Sequence, residues 1–364
     1  MTLTNYWWLL IWLFLGGAIF GNMPRRFEKL GSKTVERWDF LPAFLMVLPY
    51  IIWAGFRTGG ADTDMYRGFF LSASSSLSDI PALFQSNAKD PGFTALMIIF
   101  KAVFGNRVDL FFLITAFVQI ICITYVFRKY SSDFWICIFL FVASTDYISW
   151  TWNGVRQFVA VTIIFACFKW MLEKKYSSLI IVILLVSFIH GSAILMIPVI
   201  FIVQGKAWNK KMILMLMAIM VMIFFIDRFT PILNDLLQET QYNDIMTNEI
   251  WAADDGANII RVVIYSAPAL ISLLGLRHIR AVNDPVINIC VNCSIVTMAF
   301  YLLASVTSGI YIGRLPIYTT LHGYIALPGL IDHIFTRDSA KLVRWMMVAL
   351  FVVFFCYQVF VAWG

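Results

Sequence analysis

Long apolar runs separated by short loops constrain this chain more than any other feature of its sequence. Of its 364 residues, 61% are hydrophobic and only 13% are charged. A helix needs about 20 apolar residues to cross the hydrocarbon core of a bilayer, and runs of that kind recur from end to end. We therefore predict an all-α, polytopic membrane protein, with one integral membrane domain over residues 1–364 and about 12 transmembrane segments.

Charged loops predict which side of the membrane each segment faces, because lysine and arginine are enriched in cytoplasmic loops. The first apolar run, about residues 3–21, lacks the basic start and the cleavage site of a secretion signal, so we interpret it as a retained span. The basic loop that follows is expected in the cytoplasm, as are the later basic loops. This assignment leaves four loops on the external face, namely 57–91, 145–155, 231–258 and 307–314.

Two stretches leave the topology open. Residues 92–105 are apolar but short, and Lys101 interrupts them, so we interpret them as an interfacial or re-entrant segment. Residues 178–204 form one apolar run that is broken at His190-Gly191-Ser192. Two half-length helices that meet at His190 keep the next basic loop inside, whereas one tilted span reverses the orientation of everything after it.

A dense group of charges follows the second span, in the stretch from Phe56 to Tyr66. Arg57, Asp62 and Asp64 lie there around a Gly-Gly turn. Where charge is this scarce, ionisable residues at a membrane boundary are candidate functional groups. Asp62 and Asp64 are candidates for general-base or metal chemistry, and the alternative is a solvated loop whose turn favours aspartate. His190 is a further candidate base, with a satisfied core histidine as the alternative.

Isolated arginines fall on the external face in this topology, namely Arg57, Arg156, Arg261 and Arg314. The planar guanidinium group suits phosphate oxygens better than the ammonium group of lysine does. If the four arginines converge, they form a site for a diphosphate. The alternative is that each reaches the lipid headgroups or pairs with a nearby carboxylate. Tyr311 lies in the same external turn as Arg314, either as an interface anchor or as a platform for a sugar ring.

Several functional classes find no support in the sequence. It contains no P-loop and no dinucleotide-binding fingerprint, so direct use of ATP or NAD is not expected. The net charge of +6 is accounted for by loops between spans, and we expect no nucleic-acid partner. Cys290 and Cys293 form a C-x-x-C inside an apolar run without a second pair, which we interpret as small buried residues. We predict no metal site and no cofactor.

The residues of this charged stretch also carry a family resemblance. The sequence F-R-T-G-G-A-D-T-D-M-Y resembles the R-x-G-x-D-x-x-x-Y stretch after the second span of EpsG-type proteins, which are Wzy-like polymerases of bacterial surface polysaccharides. Further similarities extend over about residues 55–320, in the family's order: Asp90-Pro91-Gly92-Phe93, Arg156 with Ala160, the stretch 188–193 around His190, Arg261, and Arg314 with Tyr318. Asp90 replaces the usual glutamate, and an extra Gly-Ala leaves either Asp62 or Asp64 as the equivalent acid.

The resemblance implies a GT-C-like glycosyltransferase in the bacterial inner (cytoplasmic) membrane, with its active site facing the periplasm. Its donor and acceptor are oligosaccharides linked to undecaprenyl diphosphate. The growing glycan moves from one lipid carrier to the non-reducing end of a new lipid-linked repeat unit. The arginines stabilise the diphosphate leaving group, and a carboxylate or His190 takes the proton of the attacking hydroxyl. A chain-length regulator is a further candidate partner, beside the bilayer itself.

Two alternatives use the same class of substrate. A transporter or flippase for lipid-linked oligosaccharides is expected to have related halves and charges along a path through the membrane. Here no internal repeat is evident and the isolated charges fall at one face, which favours the enzyme. An O-antigen ligase is the second alternative, and it usually carries a larger external loop than 231–258.

Overall fold

A computed structural model describes residues 3–30, 33–60, 62–86, 89–225, 256–307, 309 and 312–362 of the protein. Most of the expected external loop 231–258, namely residues 231–255, lies outside the described residues, and so does Tyr311. The chain divides into two compact units, one formed by Met1–Ile197 with Phe335–Gly364 and the other by Pro198–Ile334. We describe each unit by itself.

The first unit is built of helices and one small hairpin. Its regular elements are α1 (Leu3–Phe20), β1 (Arg25–Leu30), β2 (Lys33–Trp38), α2 (Phe40–Gly55), α3 (Thr63–Ser72), α4 (Ile80–Gln85), α5 (Pro91–Phe104), α6 (Val108–Tyr130), α7 (Phe134–Ala143), α8 (Asp146–Ser149), α9 (Val155–Ala166), α10 (Phe168–Leu172), α11 (Tyr176–Ser187) and, after the second unit, α18 (Arg337–Tyr357). Short 3-10 turns lie at Leu77–Asp79 and Gly191–Leu195, and a π-helical turn at Gln358–Ala362 follows α18.

The hairpin of β1 and β2 corrects the expectation of an all-α chain. The two strands pair antiparallel, with Arg25 opposite Trp38. Their sequences, R-R-F-E-K-L and K-T-V-E-R-W, place apolar residues at every third position and so lack the period-2 alternation that is typical of strands. The buried Arg37 donates a hydrogen bond to the carbonyl of Ser131, and Arg128 donates one to the carbonyl of Trp38 over 2.9 Å. The loops 25–37 and 128–132, both expected in the cytoplasm, therefore contact each other.

Phenylalanine rings form the core beneath the candidate site. Tyr66 and Phe70 from α3 are buried against Phe93 from α5 and against Phe111 and Phe112 from α6. Adjacent rings meet mostly edge to face, with the centroids of Phe93 and Phe111 5.9 Å apart. Edge-to-face contacts add to the free energy of burying the rings, and they fix three helices that come from separate segments.

Two helix starts show how local sequence sets the boundaries. The side chain of Asp133 accepts a hydrogen bond from the backbone N–H of Ile136 and so caps α7. Pro91 occupies the first position of α5, where its missing N–H costs no hydrogen bond. Helix α7 ends at Ala143, and α8 is a separate turn within the expected external loop 145–155.

The break expected at His190 is present. Helix α11 ends at Ser187, His190 is extended, and a 3-10 turn then leads into α12 (Met196–Ile202), which includes the boundary between the two units. At 1.5 Å per residue, the 12 residues of α11 extend over about 18 Å, which is well short of the hydrocarbon thickness of a bilayer. The break at His190 is therefore confirmed, while the choice between two half-length helices and one tilted span stays a prediction.

The described part of the second unit contains five further helices, of which the fourth and fifth are almost entirely buried. The five helices are α13 (Lys210–Phe224), α14 (Ile259–Leu274), α15 (Leu276–Val282), α16 (Pro285–Ala304) and α17 (Ile317–Ile334), with a 3-10 turn at Ile312–Arg314. Helices α16 and α17 are joined by the hydroxyls of Thr297 and Thr319, 2.8 Å apart. Cys290 and Cys293 are buried in α16, as the sequence analysis predicted.

Among the described residues, three helices are long and apolar enough to cross a membrane, namely Val108–Tyr130, Pro285–Ala304 and Arg337–Val361. Helices α14 and α15 form a fourth candidate, bent by 76° at their junction. Seven shorter apolar helices have 10 to 17 residues. The helical membrane class is confirmed by these elements, while the count of about 12 spans stays a prediction.

Candidate functional site

A buried carboxylate lies at the centre of the candidate site. Asp90 is only 4% exposed and ends the long loop that begins at Arg57. Its backbone is in the left-handed region, with φ at 54°, a conformation that aspartate tolerates better than most residues do. Pro91 then starts α5. The end of the loop therefore places the carboxylate of Asp90 inside the protein, at the N-terminal end of α5.

Three groups from two other segments converge on this carboxylate. Oδ2 lies 2.9 Å from a guanidinium nitrogen of Arg156 and 3.2 Å from Nδ1 of His190. Oδ1 accepts a hydrogen bond from the backbone N–H of Gly191 over 3.2 Å. A buried charge is costly unless it is paired and hydrogen-bonded, and Asp90 is both.

The electrostatic balance keeps Asp90 ionised. Burial by itself raises the pKa of the carboxyl group. The hydrogen bond and charge of His190, with the charge of Arg156, lower it and outweigh burial, so the pKa of Asp90 lies below its ordinary value of 3.8. At neutral pH the carboxylate of Asp90 is therefore a fixed anion between the guanidinium group of Arg156 and the imidazole of His190.

His190 is positioned by the break between α11 and the 3-10 turn. The backbone N–H of Gly92 donates to the carbonyl of Phe188 over 2.8 Å, which ties the start of α5 to this break. Because an ionised carboxylate only accepts hydrogen bonds, we assign the proton to Nδ1 of His190. Nε2 then carries a lone pair. It has no hydrogen-bond partner in the described part of the chain, and 18% of the side chain is exposed.

Arg156 occupies the first turn of α9 and links Asp90 to Tyr66. Its guanidinium carbon lies 6.0 Å from the centre of the Tyr66 ring. Burial raises the pKa of the Tyr66 phenol, and the adjacent Arg156 opposes that shift. The side chain of Arg156 is 23% exposed.

Arg57 is held by its own segment of the chain. It is 5% exposed, donates to the carbonyl of Ala54 over 2.7 Å and to Oγ1 of Thr63 over 3.2 Å, and lies over the ring of Phe112 at 3.9 Å. Burial lowers the pKa of its guanidinium to about 10, which leaves it charged at neutral pH. Nη2 is buried without a hydrogen-bond partner among the described residues, and Tyr66 is an electrostatic neighbour.

The two candidate aspartates of the loop differ in their surroundings. Oδ2 of Asp62 accepts a hydrogen bond of 2.7 Å from the backbone N–H of Gly154, immediately before α9. Asp62 therefore ties the first external loop to the segment that presents Arg156. Asp64 is exposed in the first turn of α3. The contact of Asp62 is that of a positioning residue, and the choice between Asp62 and Asp64 as the equivalent of the family's acid stays open.

The remaining predicted residues belong to the second unit. Arg261 is half-buried in the first turn of α14, and Arg314 is exposed at the end of a 3-10 turn. Arg57 and Arg156 belong to the first unit, so the convergence of all four arginines stays a prediction. No group of three or more His, Cys, Asp or Glu side chains suited to a metal ion occurs in the described ranges.

The sequence analysis did not name Asp90 and Tyr66 as site residues. Asp90 was visible only as part of the resemblance in Asp90-Pro91-Gly92-Phe93, where an acid before a proline is typical of a helix start. Its partner His190 is 100 residues away along the chain. A hydrogen bond between Gln157 and Ser192 adds a second link between α9 and the break at His190.

The arrangement has the elements of a general base. Asp90 fixes the orientation and tautomer of His190, whose free nitrogen is directed away from the carboxylate, and an arginine lies at the same anion. Taken together, the apolar helices and this charged cluster define a multi-pass helical membrane protein with a buried ionic site.

A family model confirms the resemblance seen in the sequence. The model of the EpsG family matches residues 40–364, so the chain belongs to that family. The family points to a membrane protein similar to a polysaccharide polymerase. No curated protein and no solved structure gives a significant match to this chain.

Proposed function

We propose that this protein is a glycosyltransferase that polymerises a bacterial surface polysaccharide at the external face of the cytoplasmic membrane. Its donor is a glycan on undecaprenyl diphosphate, and its acceptor is the non-reducing end of a lipid-linked repeat unit. The observation that carries the proposal is the Asp90–His190 pair with Arg156 on the same carboxylate. Membership of the EpsG family supports the polymerase class.

In the proposed reaction, a hydroxyl of the acceptor attacks the anomeric carbon of the donor sugar. The new glycosidic bond forms as the bond from that carbon to the diphosphate oxygen breaks. Nε2 of His190 takes the hydroxyl proton, and Asp90 stabilises the imidazolium that results. The electron pair of the broken bond leaves with undecaprenyl diphosphate.

Arginines supply the electrostatic part of this proposal. Arg156, whose side chain is 23% exposed, and Arg57, whose Nη2 has no hydrogen-bond partner among the described residues, are the proposed donors for oxygens of the leaving diphosphate. Donors fixed before the reaction stabilise charge as it develops, without reorganisation during the step. Arg261 and Arg314 are further candidates for the same anion.

A deletion strain tests the proposal through the banding of its surface polysaccharide on a gel. The strain is complemented with the wild type, with His190→Gln, Asp90→Asn or Arg156→Lys, or with the matched controls His278→Gln, Asp79→Asn and Arg107→Lys. These control residues are exposed. Membrane levels of every variant are measured in parallel.

We expect the deletion strain to show a single repeat unit, and only the wild type and the controls to restore a ladder. If the deletion strain lacks even the single-repeat band, export has failed and the protein is a transporter. A complete ladder from all three site variants would retain the polymerase and remove the proposed site.

A further inference from the structure

A second group of cations, in the second unit, lines an open cavity of about 550 Å³. The cavity is bordered by Lys206, Trp208, Asn209, Lys210, Ile213 and Arg280. Three of these six residues are cationic and none is acidic. Neither lysine has a carboxylate partner within the described ranges, and the same holds for Arg280. The loop charges predict that this segment lies on the cytoplasmic face.

The loop that carries Lys206 and leads into Lys210, residues 203–209, is held in place by two buried asparagines of α16. Asn292 donates to the carbonyl of Val203 over 2.8 Å and accepts from the backbone N–H of Trp208 over 3.1 Å. Asn288 accepts from the backbone N–H of Ala207 over 3.0 Å. Buried polar groups that are fully paired in this way specify one loop conformation.

The backbone of Trp208 has a conformation that is unfavourable for a bulky residue. Its φ is 56°, in the left-handed region that a bulky residue rarely adopts. The indole Nε1 donates to Oγ of Ser272 over 2.7 Å, and Arg280 donates to the carbonyls of Ala207 and Trp208. Such strain persists where surrounding contacts hold the residue in place, and strained residues are concentrated at binding sites.

The start of α13 adds to the positive potential at the cavity. Asn209 caps the helix by accepting from the backbone N–H groups of Lys211 and Met212, so the helix end is satisfied within the protein. The partial positive charge of the helix dipole remains directed toward the cavity rim. Beyond Ile213, α13 exposes Leu214 and Met217. A cationic rim therefore continues into an apolar helix face.

We propose that this cavity binds the phosphate group of an anionic membrane lipid, with Lys206, Lys210 and Arg280 around the phosphate and the acyl chains along α13. Cations at a membrane surface attract anionic headgroups, and an adjoining apolar face suits the hydrocarbon part of a lipid. Inorganic phosphate has the same phosphate group without acyl chains. A competition experiment distinguishes these two ligands.

The test measures binding of acyl-labelled phosphatidylglycerol to the purified full chain in detergent by fluorescence anisotropy, with labelled phosphatidylcholine for comparison. The variant is Lys206→Gln with Lys210→Gln, which leaves Arg280 and the loop contacts intact. The matched control is Lys169→Gln with Lys175→Gln, two lysines that pair with Glu173. Thermal unfolding of all samples establishes that each variant is folded.

We expect the variant to bind phosphatidylglycerol roughly tenfold more weakly than the wild type, and the control to bind as the wild type does. Inorganic phosphate at constant ionic strength displaces the label if the phosphate group suffices, and leaves it bound if the chains are required. Equal affinity of wild type and variant, an equal loss in the control, or equal binding of phosphatidylcholine would overturn the proposal.

Discussion

Asp90 is shared by a histidine and an arginine that come from two other segments of the chain. The left-handed backbone at this position and the proline that follows it turn the carboxylate inward, where it is 4% exposed. Each partner lowers the cost of burying the charge, and the carboxylate in turn fixes both partners. A change at this single residue is therefore expected to affect stability and activity together.

Asp90→Asn is expected to lower the free energy of unfolding by about 2 kcal/mol near neutral pH, because it leaves Arg156 without its charged partner. The pKa of Asp90 is lower in the folded protein than its ordinary value, so this stabilisation is fully present above that value and is lost as pH falls through the folded pKa. The difference in unfolding temperature from the wild type should be constant above about pH 5 and shrink below about pH 4.

The matched control for this prediction is Asp79→Asn, a change at an exposed residue of the same loop. It should leave the unfolding temperature unchanged at every pH. A difference between Asp90→Asn and the wild type that does not depend on pH would contradict the assigned ion pair.

At the level of elements, the site depends on the close approach of α5 to the break at His190. A methyl group on Gly92 would lie 2.8 Å from the backbone carbonyl of Phe188, too close for any real contact. The same glycine donates the hydrogen bond that joins the two segments. Glycine is therefore required here for packing, since its φ is not in the left-handed region.

Gly92→Ala is expected to separate α5 from the break and to destabilise the first unit by about 1–3 kcal/mol, with loss of polymerisation. Gly68→Ala is the matched control, because nothing lies within 4 Å of a methyl group at that position in α3. Alanine should stabilise that helix by up to about 1 kcal/mol. Thermal unfolding of both purified variants measures the contrast, and equal effects would contradict the packing described here.

Some of these elements could be predicted from the sequence and others could not. Long apolar runs predicted membrane-spanning helices such as α6 and α16, and a polar triplet inside an apolar run predicted the break at His190. The β hairpin was not predicted, because the charges of residues 25–37 were interpreted through the positive-inside rule alone. The contact of Asp90 with His190 joins residues 100 positions apart, and no local spacing encodes such a contact.

At the scale of the molecule, contacts between loops agree with the predicted sides of the membrane. The hairpin contacts the end of α6, and both segments are expected in the cytoplasm. Asp62 contacts Gly154, and Asp90 contacts Arg156 and His190, all in segments expected outside. These contacts of the first unit therefore join segments that the charge rule assigns to the same side.

Cysteine labelling tests these sides directly. In intact spheroplasts, a membrane-impermeant maleimide should label Asp79→Cys and leave Arg26→Cys unlabelled, while both should react after permeabilisation. Both positions are exposed in the structure. The wild type is the control for its own cysteines. The reverse pattern would invert the topology and place the site in the cytoplasm.

The central claim is that His190, held by Asp90, takes the proton from the attacking hydroxyl. The most direct test is the initial rate at which the reconstituted protein releases undecaprenyl diphosphate from the lipid-linked repeat unit of its host, with donor binding measured separately. His190→Gln should bind the donor but be slower by a factor of about 100 or more, as general-base catalysis predicts, while His278→Gln should match the wild type. A His190→Gln rate close to that of the wild type would contradict the mechanism.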